Sequence, residues 1–89
     1  MRVHFTDQGW DDYLHWSRQD AGTHARLNRL IEDARRAPFK GIGKPEPLKG
    51  DLAGFWSRRI TGEHRLVYAL EGKLGPDQRI VIVLCRYHY

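Results

Sequence analysis

A run of five consecutive apolar residues near the end of the chain, Ile80 to Leu84, constrains the fold most. The run is too short to span a bilayer, which requires about 18–20 apolar residues. It is rich in β-branched residues and apolar on both faces, which is typical of a strand at the centre of a sheet. We therefore predict a central strand over Arg79–Tyr87. Because 89 residues make a single domain, residues 1–89 must supply its neighbours and its cover.

Three other segments have the composition of strands. A short one opens the chain, and two more follow residue 54, each closed by a glycine-containing turn. The last three strands of the chain are joined by short turns, so we expect them to be antiparallel. The predicted ranges are Arg2–Phe5, Phe55–Ile60 and His64–Leu70.

Two helices are predicted between the first strand and residue 38. The first is capped by Thr6 or Asp7, and the second is capped by Thr23 and stopped by Pro38. Apolar residues recur at helical spacing in both, at Trp10, Tyr13 and Leu14 in the first and at Leu27, Leu30, Ile31 and Ala34 in the second. Residues 38–54 are predicted to form a loop. The predicted fold is α+β, with the order β-α-α-β-β-β and a helical hairpin on one face of an antiparallel sheet.

The tryptophans and tyrosines of this chain have two interpretations, as core residues or as platforms on which bases stack. For Trp10 we favour core or helix-to-sheet packing, because it lies in the apolar stripe of the first helix. Trp16 lies off that stripe, and we interpret it as an interface residue. Trp56 and Tyr68 remain open between the two interpretations.

Composition excludes several classes of protein. Hydrophobic residues make up 40% of the chain and charged residues 29%, which is typical of a globular domain. A single cysteine, Cys85, allows neither an intrachain disulfide nor a cysteine zinc site, and the five histidines lack the paired spacing of zinc ligands. Met1 is not followed by a signal sequence. We expect a cytoplasmic protein with no membrane contact, no metal and no cofactor.

The net positive charge arises entirely in the second part of the chain. Residues 38–89 hold nine Lys/Arg and five Asp/Glu, whereas residues 1–37 hold six of each, and eleven of the fifteen basic residues are arginines. Arginine binds phosphate through two parallel hydrogen bonds. The excess therefore indicates either a polyanionic ligand or a merely solvated basic surface, and charge alone does not separate the two.

Four separated segments resemble the Txe/YoeB family of the RelE/ParE-like toxins. They are Gly43-Lys44-Pro45-Glu46-Pro47-Leu48-Lys49, Gly54 to Thr61, Glu63 to Tyr68, and the terminal Cys85-Arg86-Tyr87-His88-Tyr89. Trp10-Asp11-Asp12-Tyr13 is similar to the first helix of the family. The resemblance implies the RelE/ParE-like fold and the toxin of a type II toxin–antitoxin pair. It also implies cleavage of mRNA in the ribosomal A site and silencing by a YefM-like antitoxin, and leaves open whether the toxin forms a homodimer.

The resemblance also implies roles for four catalytic residues. Metal-independent RNA cleavage uses the 2′-hydroxyl as nucleophile and needs a base, an acid and a cation near the phosphate. By resemblance Glu46 is the base, Arg65 the phosphate clamp and His88 the acid, while Tyr89 contacts the substrate. From spacing alone Glu46 would be an ordinary exposed loop carboxylate, Arg65 a solubilising strand residue, and the last two residues a frayed terminus.

Five further residues are predicted to contact RNA or to orient the site: Lys44, Lys49, Arg59, Glu63 and Arg86. We expect Lys49 to favour the ionised form of Glu46, and Glu63 to orient an arginine by a bidentate pair. Two other functions fit the same fold. One is a non-catalytic toxin of the ParE type, which acts on DNA gyrase, and the other is a module that binds RNA or the ribosome. The combination of base, clamp and acid favours the ribonuclease.

Overall fold

The structure is a computed structural model, and it describes residues 1–87. Two helices, α1 (Asp7–Gln19) and α2 (Ala21–Arg36), pack on one face of a five-stranded sheet. The strands are β1 (Arg2–Phe5), β2 (Glu46–Pro47), β3 (Phe55–Arg59), β4 (Arg65–Glu71) and β5 (Arg79–Leu84), and a short 3₁₀ helix spans Gly50–Leu52. The predicted α+β class and the helical hairpin are confirmed.

The sheet order is β1-β5-β4-β3-β2, so β5 has a neighbour on each side, as its apolar run predicts. The β3, β4 and β5 strands are antiparallel, also as predicted. Two features differ from the prediction of an antiparallel sheet with four strands. β1 pairs with β5 in parallel, with Arg2 opposite Arg79 and Phe5 opposite Ile82. β2 is a two-residue strand inside the segment predicted as a loop.

The helix caps are partly as predicted. The Thr6 side chain accepts a hydrogen bond from the backbone N–H of Gly9, which makes Thr6 the cap of α1. The predicted cap of α2, Thr23, is wrong. Asp20 caps it instead, because its side chain accepts the N–H of Thr23, and one residue therefore ends α1 and starts α2. Asp20 leaves no loop between the helices, which are held closely as a hairpin.

The face of helix α1 that packs on the sheet is not the face that its apolar residues predict. Its buried residues are Gly9, Asp12 and Trp16. Trp16 is 7% exposed and donates its indole N–H to the carbonyl of Cys85 at 2.7 Å, so its assignment to an interface is wrong. Trp10 packs on Phe5 of β1, as helix-to-sheet packing predicts, but it is 46% exposed and lies outside the core. The buried face of α1 contains a glycine and a hydrogen-bonded aspartate, so the apolar stripe did not identify this face and placed Trp10 in the core.

The hydrophobic core lies between the helices and the sheet. Its fully buried side chains are Leu27 and Leu30 from α2, Leu66 and Tyr68 from β4, Ile80 and Ile82 from β5, and Cys85. Burial of this set stabilises the fold by roughly 1.5–3 kcal/mol per large side chain. Within residues 1–87 no helix has the length and hydropathy that crossing a membrane requires.

Candidate active site

The sheet has a second face, opposite the helices, which we call the outer face. Leu66 and Tyr68 of β4 point into the core, so the alternate residues of that strand point to the outer face. The register joins Glu46 to Ser57 and Ser57 to Val67, which forms one row across β2, β3 and β4. Ser57 and Val67 are buried in this row, and Glu46 is exposed at its end. The buried part of the row therefore consists of a hydroxyl and an apolar side chain, and the Glu46 carboxylate lies exposed at one end.

Two arginines lie directly opposite each other on the outer face. Arg59 of β3 pairs in register with Arg65 of β4, two residues along the strands from the row that contains Glu46. Like charges at directly opposite positions of a sheet destabilise it. The Arg65 Nη1 atom is held by the turn between the strands, where it donates to the carbonyls of Thr61 at 2.9 Å and His64 at 3.1 Å. The Arg65 guanidinium is thus held at the β3–β4 turn, and Arg59 adds a second cation to the same face as Glu46.

A fully buried arginine supports the segment that leads to Glu46. Arg58 lies on the core side of β3, with no exposed surface. Its guanidinium donates to the Asp33 carboxylate at 2.6 Å, to the Tyr68 hydroxyl at 3.0 Å, and to the carbonyls of Ala37, Lys40 and Ile42. Five acceptors match the five N–H groups of arginine. The 37–42 segment is therefore fixed against β3 immediately before the chain reaches the outer face.

The backbone then turns sharply into β2. Gly43 and Lys44 both have positive φ, at 81° and 52°, a conformation that is uncommon for a residue with a side chain. The carbonyl of Gly43 accepts the N–H of Arg59 at 2.7 Å, which continues the contact between this segment and β3. On the other side of β2, the N–H of Leu48 donates to the carbonyl of Phe55 at 2.9 Å. Glu46 is thereby placed by hydrogen-bonded backbone on both sides, although β2 itself has only two residues.

The remaining predicted residues surround this centre. Lys44, Lys49, Arg59 and Glu63 are exposed, and Arg86 is half-buried with its guanidinium 4.6 Å from the centre of the Tyr87 ring. Within residues 1–87, Lys49 forms no ion pair with Glu46, and Glu63 forms none with an arginine, so the predicted bidentate pair of Glu63 is absent there. Glu63 instead donates its backbone N–H to the Thr61 hydroxyl in the β3–β4 turn.

The other two predicted catalytic residues, His88 and Tyr89, lie outside the described residues. The chain immediately before them is well defined by its contacts. The carbonyl of Tyr87 accepts the N–H of Arg65 at 2.8 Å, and the N–H of Tyr87 donates to Nδ1 of His64 at 2.6 Å. The C-terminal segment therefore reaches the start of β4, where Arg65 lies.

Protonation equilibria near the site are perturbed in the supporting network. The hydrogen bond from Arg58, followed by that from the N–H of Ile42, lowers the pKa of the Asp33 carboxyl. Burial raises the pKa of the Tyr68 hydroxyl, against an opposing hydrogen bond from Arg58. Both directions favour a charged Asp33 and a neutral Tyr68, which are the forms that accept hydrogen bonds from Arg58.

The comparison with known proteins identifies the family. Residues 5–89 match the family described as "YoeB-like toxin of bacterial type II toxin-antitoxin system". The chain is 57% identical to the toxin YoeB of Streptomyces coelicolor over 89 residues, which is the whole of both chains. The chain belongs to the YoeB-like toxins.

Solved structures agree with this family. A YoeB/ParE toxin from Agrobacterium tumefaciens is 53% identical and superposes with a TM-score of 0.93 over all of both chains. A YoeB dimer and a heterotetrameric YoeB–YefM complex, both from Staphylococcus aureus, match at 39% and 38% identity, with TM-scores of 0.86 and 0.85. Each match covers all of this toxin and 98% of the other chain. The fold predicted from the resemblance is thus the fold of the YoeB-like toxins.

Sequence reasoning missed the role of Arg58 in this toxin. Within Ser57-Arg58-Arg59, Arg58 points to the core, whereas Arg59 is exposed on the outer face. Strand alternation was the available signal, because Trp56, Arg58 and Ile60 share a face whose neighbours on β4 are Leu66 and Tyr68. A charged residue in that series requires a partner. Asp33, an acidic residue near the C-terminal end of an otherwise apolar stripe on α2, supplies it.

Proposed function

We propose that this toxin is an endoribonuclease that cuts mRNA in the ribosomal A site and so inhibits translation. The observation that carries the proposal is that one sheet face presents Glu46 together with Arg59 and Arg65. Glu46 and Arg65 lie two strands apart across the sheet and two residues apart along it, which puts their α-carbons about 12 Å apart. The two long side chains can converge over that distance on the two sides of a phosphodiester group.

The arginine pair supports an anionic substrate. Arg59 and Arg65 repel each other in the free protein, and a phosphate between them would replace this repulsion by charge-assisted hydrogen bonds. During cleavage the phosphate gains negative charge in the transition state. We assign Arg65 to this charge because it is half-buried, where solvent screens it less than the exposed Arg59. Lys44, Lys49, Arg59 and Arg86 would bind flanking phosphates.

The proposed reaction needs no external nucleophile. Glu46 removes the proton of the 2′-hydroxyl, the 2′-oxygen attacks the adjacent phosphorus, and the bond from phosphorus to the 5′-oxygen breaks. His88 gives its proton to the departing 5′-oxygen, and Tyr89 contacts the substrate beside it. The products are a 2′,3′-cyclic phosphate and a 5′-hydroxyl. Each proton and electron pair is accounted for by the substrate and by the two side chains.

The proposed partner that silences the toxin is a YefM-like antitoxin. The S. aureus relative assembles with YefM in a heterotetramer. In this chain the basic excess lies in residues 38–89, which include β2, β3 and β4 with the outer-face residues Glu46, Arg59 and Arg65. An acidic segment of the antitoxin would cover the outer face and displace residues 86–89. The S. aureus dimer makes a homodimer of the free toxin a second arrangement to test.

Mapping of RNA ends on translating ribosomes tests the proposal. The toxin should create new mRNA 5′ ends inside the A-site codon, and these ends should carry a hydroxyl. Addition of the cognate antitoxin should abolish them. Ribosomes incubated with the toxin that yield no new ends would overturn the ribonuclease assignment. Inhibition of DNA gyrase in a parallel assay would instead support a toxin of the ParE type.

We expect the toxin to cut free RNA weakly and ribosome-bound mRNA much faster. Glu46 and His88 supply a base and an acid without help from the ribosome, whereas the A site aligns the 2′-hydroxyl with the phosphate. A comparison of the two rates for the same defined RNA measures this difference.

A further inference from the structure

The segment after β5 is held to the protein at alternate residues. The N–H of Cys85 donates to Asp12 at 3.0 Å, and its carbonyl accepts the indole N–H of Trp16 at 2.7 Å. Two residues later Tyr87 forms a similar pair of contacts, with His64 and with the N–H of Arg65. Of the two Tyr87 contacts, the one to His64 is made by a side chain and the one to Arg65 by its backbone.

The contact between His64 and Tyr87 defines the protonation state of the imidazole. A backbone N–H can only donate, so Nδ1 of His64 must accept the hydrogen bond of 2.6 Å. The ring is therefore neutral and carries its proton on Nε2. It is held in place by edge-on contact with Trp16, at 4.7 Å between centroids, and by the Tyr87 ring at 5.6 Å.

Tyr87 has a backbone conformation that needs such support. Its φ of 61° lies in the left-handed region, which a bulky aromatic residue rarely adopts. Hydrogen bonds at both its N–H and its carbonyl hold it there. His88 and Tyr89 follow this turn directly in the sequence.

We propose that His64 is a positioning residue for the reaction: its imidazole holds the turn at Tyr87, the residue that directly precedes the proposed acid His88 in the sequence. This inference rests on the proposed function. The next motif residue, Arg65, has a proposed role at the phosphate, whereas His64 acts through the backbone of the C-terminal segment.

The charged groups around the ring come from each element that packs on it. Asp20, at the junction of the helices, and Glu63, in the β3–β4 turn, line the same groove of about 320 Å³ as His64. Arg65 donates to the carbonyl of His64, and Arg86 lies over the Tyr87 ring. His15 contacts the Trp16 ring.

Amide measurements on Tyr87 test the positioning contact without any activity assay. His64→Leu removes the acceptor and keeps an apolar contact for Trp16, while His64→Asn retains a non-titrating acceptor near the position of Nδ1. His24→Leu is the control, because His24 contacts Tyr13 rather than the C-terminal segment. We expect the Tyr87 amide to exchange with solvent at least about 10-fold faster in His64→Leu only. Equal exchange in the wild type and His64→Leu would overturn the proposal.

Cleavage measurements test the consequence for the reaction. Misplacement by about 1 Å costs up to about 100-fold in rate, so His64→Leu should lose about 10- to 100-fold in single-turnover cleavage with RNA affinity nearly unchanged. His64→Asn should recover most of this loss. Full activity in His64→Leu, or no recovery in His64→Asn, would overturn the positioning role.

These outcomes are distinguishable from failure of the proposed function. If the wild-type toxin cuts no RNA, the ribonuclease assignment fails, and the role of His64 in that reaction fails with it. The exchange of the Tyr87 amide still reports whether His64 holds the turn. If the wild type cuts RNA and His64→Leu cuts equally well, only the inference about His64 is wrong.

Discussion

At the residue scale, Arg58 shows how this small domain tolerates a charge in its core. A buried guanidinium is costly unless each N–H has an acceptor and the charge has a partner. Arg58 meets both conditions, since two side chains and three carbonyls accept its hydrogen bonds. The same bonds fix the segment before Glu46. Stability and the geometry of the candidate site therefore depend on one residue.

Removing the charge that faces Arg58 should destabilise the toxin. Asp33→Asn leaves the buried guanidinium without a counter-charge, and we expect a loss of about 2–3 kcal/mol in the free energy of unfolding. Asp51→Asn, at an exposed position in the 3₁₀ helix, is the matched control. Urea unfolding at neutral pH measures both. Equal stabilities of the two variants would contradict the role assigned to the ion pair.

The same carboxylate should make stability depend on pH. The pKa of Asp33 is lower in the folded protein than in the unfolded chain, where it is about 4. Its contribution is therefore present above about pH 4 and is lost as the pH falls through the folded value. We expect the wild type to lose stability over this acid range more steeply than Asp33→Asn. Parallel curves for the two proteins would show that Asp33 is not the group responsible.

Cys85 should be chemically inert in the native toxin. Burial, with a smaller contribution from the Asp12 charge, raises the pKa of its thiol to about 12. Because the thiolate is the reactive form, we expect alkylation by iodoacetamide at pH 8 to be at least about 100-fold slower in the native protein than in denaturant. Mass spectrometry of the single cysteine measures both rates. Comparable rates would mean that the end of β5 opens readily.

At the element scale, the turn into β2 carries the geometry of Glu46. Gly43 has a φ of 81°, and a β-carbon there would lie 2.7 Å from Cδ2 of Leu30 and 3.2 Å from Cβ of Arg58. Gly54 also has a positive φ, 97°, but has no atom within 4 Å of such a β-carbon. The two glycines thus both have a positive φ, but only Gly43 is closely packed against neighbouring atoms.

Alanine substitution at these two glycines separates strain from steric overlap. Gly54→Ala should cost about 1 kcal/mol from its positive φ alone, and Gly43→Ala about 1–3 kcal/mol more from overlap with the core. Gly43→Ala should also reduce RNA cleavage, because it moves the segment before Glu46. Denaturant unfolding and cleavage rates measure the two effects. Equal stability losses would show that the approach to Leu30 relaxes freely.

Local sequence patterns predicted most of these elements, and the features that were not predicted depend on contacts between residues distant in sequence. The apolar stripe of α2 and the strand-forming composition of β3, β4 and β5 allow their positions to be predicted from the sequence. The parallel pairing of β1 with β5 could not follow, because it joins residues almost 80 positions apart. Strand β2 exists only because β3 offers an unpaired edge. The burial of Trp16 depends on where α1 lies on β5.

At the scale of the whole molecule, the helices cover one face of the sheet, and Arg59 and Arg65 lie on the other. If phosphate contacts bind RNA or the ribosome, affinity should fall steeply with salt, because each contact releases a counterion. Arg59→Gln should reduce the slope of log affinity against log salt by about one unit. Arg18→Gln, at an exposed position on α1, removes the same charge and should leave the slope unchanged. Identical slopes for the two variants would show that the salt dependence of binding does not depend on which face of the protein carries the charge.

The candidate site was only partly predictable for a related reason. Glu46 and Arg65 were found through a family motif, and strand alternation correctly placed Arg65 away from Leu66 and Tyr68. The sequence could not reveal that Arg59 pairs with Arg65, because register depends on the turn between their strands. Nor could it reveal that Arg58 and His64, which flank the motif residues, face the core and the C-terminal segment.

Single-turnover cleavage by Glu46→Gln tests the central claim most directly. This variant keeps the size and polarity of Glu46 and removes only the base. We expect cleavage of a defined mRNA on ribosomes to slow by about 10²- to 10⁴-fold, with ribosome affinity within about twofold of the wild type. Glu71→Gln, at the far end of β4, should cut normally. Cleavage by Glu46→Gln at the wild-type rate would contradict the assignment of the outer face as the catalytic surface.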